Sequence, residues 1–181
     1  MIVKTYEFSI VASGLSPAAE DFADRFFNAG CDDAAIAFQK GHIVLDFARE
    51  AESIGDAIAS AVAAVESAGA KVERIEPDPL VNLSDIAARC GLTRAALTQY
   101  AKGQRSRDFP APSVRVTSDS PLWDWATVAR WLYAQQKLSR EAAVEAEAVR
   151  LANTALAAGD RPLAAPLAQR LRAYEQALEA A

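Results

Sequence analysis

Leu83-Ser84-Asp85-Ile86-Ala87-Ala88-Arg89-Cys90-Gly91-Leu92-Thr93-Arg94-Ala95-Ala96-Leu97-Thr98-Gln99-Tyr100-Ala101-Lys102-Gly103 is the stretch on which the fold turns. Ser84 can cap a short first helix, and Thr93 a second. Ile86 and Ala87 face inward in the first, with Ala87 small because two helices would cross closely there. Gly91 supplies the left-handed backbone that a Cβ would penalise. Leu92 plugs the turn, and Leu97 and Tyr100 pack the second helix back onto the first. The offsets are those of a helix-turn-helix. An ordinary αα-hairpin shares much of the same pattern.

The outward face separates the two. Thr93, Arg94, Ala95, Thr98 and Gln99 would point away from the core, near the start of the second helix. Arg and Gln can make bidentate contacts to guanine and adenine edges, and Thr and Ala can touch a thymine methyl. A helix N-terminus favours phosphate. A basic run then follows, Lys102-Gly103-Gln104-Arg105-Ser106-Arg107-Asp108-Phe109-Pro110-Ala111-Pro112. Ser113 to Thr117 alternates as a strand, with Val114 and Val116 on one side and Arg115 on the other. Ser118-Asp119-Ser120-Pro121 turns, and Leu122-Trp123-Asp124-Trp125 returns. Asp124 can cap a further helix carrying Val128, Trp131 and Leu132.

Over residues 80–138, a third of the chain, this resembles the winged helix-turn-helix regulators of the MerR and excisionase type. The Phe-Pro-Ala-Pro and Pro-Leu-Trp-Asp-Trp runs look like that family's wing and the entry to its following helix. The resemblance implies a recognition helix in the major groove, with Arg105, Arg107 and Arg115 on backbone phosphates. The metal-sensing members carry a cysteine cluster that this chain lacks. The bulky apolar Trp residues are expected to pack wing against helix rather than to stack on bases.

Working outward, residues 1–76 suggest strand, helix, strand, strand, helix, strand. Tyr6, Phe8, Ile10 and Ala12 alternate as a strand, and Ser16-Pro17 looks like the cap and first turn of a helix bearing Phe22, Phe26 and Phe27 on one apolar face. Ala34 to Phe38 and His42 to Phe47 form a hairpin about Gln39-Lys40-Gly41. Ser53 with Asp56 opens a helix carrying Ile54, Ile58, Ala61, Val62 and Val65. Gly69 ends it, and Lys71 to Ile75 is a last strand. That order is the ferredoxin-like split βαβ plan, which hosts many functions. Glu76-Pro77-Asp78-Pro79 marks a domain boundary. Residues 139–181 suggest two helices, about 140–157 and 162–180, around Gly159-Asp160-Arg161-Pro162. In the second, Leu163, Leu167, Leu171, Tyr174 and Leu178 make an apolar stripe that needs a partner, either the rest of the chain or another copy. The expected class is therefore α+β: a ferredoxin-like domain at 1–76, a winged helix-turn-helix at 80–138 and C-terminal helices at 139–181 as a possible dimerisation element.

The net charge of −5 is unevenly spread. Residues 1–80 hold six Lys and Arg against fourteen Asp and Glu, residues 81–140 nine against four, and residues 141–181 four against six. The balances of −8, +5 and −2 put a basic middle between acidic ends, which suits a nucleic-acid contact inside an acidic chain. No apolar run is long enough to span a bilayer. The start, Met1 to Glu7, lacks the pattern of a secretion signal, so a cytoplasmic location is expected. Cys31 and Cys90 lie far apart, in no zinc or redox spacing, and are expected to be small buried apolar residues. The one histidine, His42, is expected to be structural, and Asp32-Asp33 a solvated turn. No phosphate-cradling glycine loop occurs. The expectation is no enzyme, no cofactor and no metal.

The function expected is a sequence-specific double-stranded DNA-binding regulator of transcription, a repressor working as a homodimer. Its dimer contact would be the leucine stripe or an edge strand of the N-terminal sheet. The alternative is a protein-interaction module, such as an autoregulating antitoxin whose N-terminal domain binds a partner protein. A small-ligand sensor is a third class, with no pocket legible. The acidic N-terminal part argues against RNA binding there.

Overall fold

Phe8, Ile10 and Ala12 are buried while Ser9, Val11 and Ser13 are half-exposed, the alternation of a strand covered on one face, and Lys4–Ser13 is strand β1. The computed structural model describes residues 2–180. After β1 come helix α1 (Phe22–Asn28), β2 (Ala34–Gln39), β3 (His42–Ala51), α2 (Ile54–Ser67) and β4 (Lys71–Glu76). The four strands form one sheet in the order β2-β3-β1-β4, every neighbouring pair antiparallel. Phe8 lies opposite Phe47 with ring centroids 5.5 Å apart, and α2 covers that face with Ile58, Val62 and Val65. Ser53 caps α2 by accepting from Asp56 N–H at 3.1 Å. The β2–β3 turn is two residues, Lys40 and Gly41, both at positive φ (50° and 83°). That is the mirror-image turn whose twist suits a hairpin, so Gln39 belongs to the strand.

Three local expectations are corrected. Ser16-Pro17 does not open α1. Ser16 Oγ instead accepts from Ala18 N–H at 3.3 Å in a local turn, and the helix begins at Phe22. Phe26 is fully buried but Phe27, a further 100° round the helix, is 65% exposed. The third concerns Asp33. It is no solvated carboxylate: Arg49, a buried residue of β3, donates to it twice, Nε to Oδ2 and Nη2 to Oδ1, each at 2.7 Å. Arg49 also donates to the Gly30 carbonyl and Ser60 Oγ, and its guanidinium lies 4.8 Å over the Phe47 ring. The Arg49 hydrogen bonds hold the Asp33 carboxyl below its ordinary value of 3.8. A depressed carboxyl pKa stabilises the fold above the unfolded value and loses that contribution as pH falls through the lower folded value. Asp33→Asn is expected to cost about 2 kcal/mol at neutral pH. It should also flatten the loss of stability below about pH 4, as read by urea titrations across pH. Equal acid sensitivity in both proteins would contradict this.

The chain divides into two compact units. The first reaches to Pro77 and takes in Ala148–Tyr174; the second holds Asp78–Glu147 and the residues from Glu175 on. The stretch 139–181 is thus no third body. Its helices, α6 (Arg140–Ala158) and α7 (Ala164–Glu179), are each shared between the two units. The leucine stripe is spent inside the chain. Leu163, Leu167 and Leu171 are buried in the first unit and Leu178 in the second. A Cβ on Gly55 of α2 would sit 2.9 Å from Leu171 Cδ1, so glycine is what lets the stripe approach. Among the described residues no leucine of the stripe is left exposed for a second copy. Among the described residues, no helix is long and apolar enough to cross a membrane.

The second unit contains β5 (Leu80–Val81), α3 (Leu83–Cys90), α4 (Arg94–Ala101), β6 (Trp123–Asp124) and α5 (Trp125–Ala134). Val81, Ile86, Leu97, Val128 and Leu132 are wholly buried, with Tyr100, Trp123, Trp125 and Trp131 around them. Asp124 caps α5 through Thr127 N–H at 2.9 Å. Two strand expectations fail. Leu122 to Trp125 does not return as one strand: Trp123–Asp124 pairs with β5, and Trp125 already starts α5. Ser113–Thr117 forms no strand. Only the bridge Val114–Leu122 closes this loop, Arg115 has φ 55°, and Val114 and Val116 are 41% and 63% exposed. With nothing to cover them, two alternating valines carry no strand.

Candidate nucleic-acid interface

The geometry of α3 and α4 follows from their caps. Asn82, not Ser84, opens α3. Its Oδ1 accepts from Ser84 and Asp85 N–H at 2.8 and 3.0 Å, and Asp85 Oδ2 accepts from Asn82 N–H at 2.9 Å. This reciprocal pair satisfies donors that would otherwise be orphaned. Gly91 follows at φ 71°. A Cβ there would meet nothing within 4 Å, so the demand for glycine is conformational rather than steric. Leu92 is half-buried against the core, and Thr93 Oγ1 accepts from Ala96 N–H at 3.1 Å to start α4. At the far end Gly103 N–H donates to Tyr100 O and Gln104 N–H to Gln99 O, both at 2.9 Å. That is a Schellman stop, and it sets α4 at two turns.

The two sides of α4 differ. Leu97 is fully buried and Tyr100 nearly so. Thr93, Arg94, Ala95 and Gln99 are exposed, as is Lys102 at the end of the helix. At about 100° per residue, positions 94, 95, 98, 99 and 102 fall within one arc of about 140°. Thr98 is half-buried, its hydroxyl donating to Arg94 O at 2.9 Å, so it presents chiefly its methyl. Thr93 is exposed but its oxygen is engaged in the cap. Cys90 is half-buried, whereas Cys31 is buried and its burial pushes the thiol pKa up; both are free thiols.

Past α4 the chain is held by aromatics. Phe109 packs edge-on against Trp131 at 5.0 Å and stacks on Tyr100 at 6.1 Å. Trp123 Nε1 donates to the Pro110 carbonyl at 2.9 Å. The tryptophans are thus core, as their bulk suggests. The packing role of Phe109 has one signal in the sequence, a lone large apolar residue in a polar run. Arg105 lies 5.7 Å over the Tyr100 ring, which fixes a cation beside α4. Arg105, Arg107 and Arg115 are all exposed. Among the described residues none of Arg94, Lys102, Arg105, Arg107 and Arg115 enters an ion pair. Between Leu92 and Thr117 the only acid is Asp108. Its carboxyl accepts from Ser106 Oγ, which holds its pKa below the ordinary value. Five uncompensated cations thus gather on α4 and the segment after it, and attract anions from solution. Arg89 is separate from this set: it donates to the Asp78 carbonyl at 3.0 Å and lies over Trp125.

Elsewhere, His42 is exposed at the start of β3. Among the described residues no three His, Cys, Asp or Glu side chains gather closely enough to hold a metal ion. Comparison with protein families, with characterised proteins and with solved structures found no match to this chain.

Proposed function

We propose that this chain is a sequence-specific double-stranded DNA-binding regulator, a repressor acting as a homodimer in the cytoplasm. In this reading residues 80–138 are a winged helix-turn-helix of the MerR and excisionase kind, with α4 the recognition helix. The first unit is a ferredoxin-like domain, a reading its strand order supports. The wing is minimal, a loop 113–122 closed by one bridge, and it presents Arg115. One observation carries the proposal. The side of α4 opposite Leu97 and Tyr100 is open, unpaired and made of groups that read base edges. The reading assigns no catalysis, metal or cofactor.

A two-turn helix contacts few bases, so two copies reading half-sites about 34 Å apart are expected. Selection of bound sites from a random duplex library should return a palindrome. Arg94→Ala and Gln99→Ala should each relax preference at one position per half-site, at about 1–3 kcal/mol. An unchanged site in both variants would remove α4 from the groove.

The second reading is an autoregulating antitoxin. What favours it is the outer face of the sheet, where Glu7, Asp46 and Glu50 are exposed side by side on β1 and β3 and would suit a basic partner protein. A partner protein copurifying in fixed stoichiometry, and released by Glu7→Lys, would favour it.

A further inference from the structure

We infer that the free edge of β2 is a dimerisation surface, pairing antiparallel with β2 of a second copy of this chain to make one continuous eight-stranded sheet. The two edges of the same sheet differ. β4, at one edge, is blunted in three ways. It carries Lys71, Glu73, Arg74 and Glu76, its register with β1 breaks between Val11 and Ala12, and Pro77 follows it. Its open backbone is also occupied. Asn153 of α6, in the same unit, accepts from Ile75 N–H and donates to Ile75 O, both at 2.9 Å, as a neighbouring strand would. Charges, a bulge, a proline and a side-chain cap are the devices by which sheets refuse a further strand.

β2, at the other edge, has none of them. Ala34-Ala35-Ile36-Ala37-Phe38-Gln39 holds no charge and no proline, and its register with β3 is unbroken over all six residues. The two-residue turn makes Gln39 and His42 a pair that exchanges both hydrogen bonds, and such pairs recur at every second residue. Ala35 and Ala37 therefore bond to β3, while the N–H and C=O of Ile36 and Phe38 face outward. No hydrogen bond of the described residues engages these outward groups. Phe38 is also 49% exposed, large apolar area at an open edge.

A second copy is the occupant that fits. With the two-fold axis at Ala37, Ile36 of each copy lies opposite Phe38 of the other and the pair exchanges both bonds. Phe38 then lies beside Ile36 of the other copy on the core face. The residue on the axis is alanine, small enough for the close Cα approach of a non-bonded pair. Neither strand brings a charge, so the negative charge around them is kept off the seam. The leucine stripe, the other candidate, is already buried within the chain. This surface supplies the dimer that the DNA-binding reading calls for, and rests on that reading only for its purpose.

The test uses the full chain without DNA. Sedimentation across a dilution series is expected to show a monomer–dimer equilibrium. Ala37→Lys places like charges face to face on the axis, and so does Ala37→Glu. Each is expected to weaken the dimer about tenfold or more. An equimolar mixture of the two should recover it as a heterodimer, a rescue that misfolding cannot mimic. In the unaltered chain the Ile36 and Phe38 amides should gain exchange protection as concentration rises, while those of Ala35 and Ala37 stay protected throughout. A monomer at every concentration, a lysine variant that dimerises like the parent, or concentration-independent exchange at Ile36 and Phe38 would each overturn the edge. A monomer that still selects a duplex would sink this inference and spare the DNA reading; a β2-paired dimer that selects none would do the reverse.

Discussion

The combined variant Arg105→Ala, Arg107→Ala, Arg115→Ala is expected to bind duplex DNA about a hundredfold more weakly per copy at about 0.15 M salt, whatever the sequence. All three residues are exposed and none is held by a carboxylate; Arg105 already lies over the Tyr100 ring beside α4, and each is available to a phosphate. A phosphate contact contributes about 0.9 to the slope of log affinity against log salt, so three contacts contribute about 2.7. Carried from molar salt down to about 0.15 M, that slope accounts for the hundredfold. The variant's salt dependence should therefore be shallower by about 2.7 per copy while its ranking of sites is unchanged. Gln99→Ala should behave in the opposite way, with the slope kept and the ranking altered, because in the proposed reading its amide would meet a base edge rather than a phosphate. Stability should hardly move, since the three side chains are surface groups; thermal unfolding of the variant checks this. A salt slope equal to the parent's would show that the segment after α4 does not lie along a DNA backbone, and would confine any contact to α4 itself.

The contrast between α4 and that segment shows what this sequence makes legible. Gly91, Thr93, Leu97 and Tyr100 each act within one turn of their own position, through a cap, a positive φ or a helical face, and such constraints are written locally. The Lys40-Gly41 turn and the Asp124 cap belong to the same kind. The outward set Arg94, Ala95, Thr98 and Gln99 was legible for that reason: once the buried side of a helix is known, its exposed side follows. The loop 113–122 was not. Val114 and Val116 alternate as strand residues do, yet a strand also needs a neighbour to bond and a surface to cover, and neither is local. The Arg49–Asp33 pair joins residues 16 apart, and no periodicity announces it. The leucine stripe of α7 showed that a face would be buried and left open against what. Its answer lies inside the chain, where Leu163, Leu167, Leu171 and Leu178 are buried.

Leu97→Ala carries the largest expected loss of stability, about 3–4 kcal/mol. The side chain is wholly buried in the second unit's core, in one cluster with Ile86, Trp131 and Leu132. Removing three of its carbons forfeits both transfer energy and packing, because a close-packed core relaxes only partly into the gap. All three tryptophans, Trp123, Trp125 and Trp131, belong to this unit and the other has none, so tryptophan fluorescence follows the second unit alone. With a urea dependence of about 1–3 kcal/mol per molar, the fluorescence midpoint should fall by about 1–4 M. Part of the far-UV signal, from the sheet of the first unit, should keep its original midpoint. Leu97→Met, which conserves volume, should cost less than about 1.5 kcal/mol. The pair also tests function through packing. Leu97 sets which side of α4 faces out, so the alanine variant, at urea-free conditions where it remains folded, should lose site preference more than salt-dependent affinity. The methionine variant should keep both. If Leu97→Ala shifted the fluorescence midpoint by no more than a surface substitution does, α4 would not be anchored by this face, and Arg94 and Gln99 would have no fixed direction from which to read a groove.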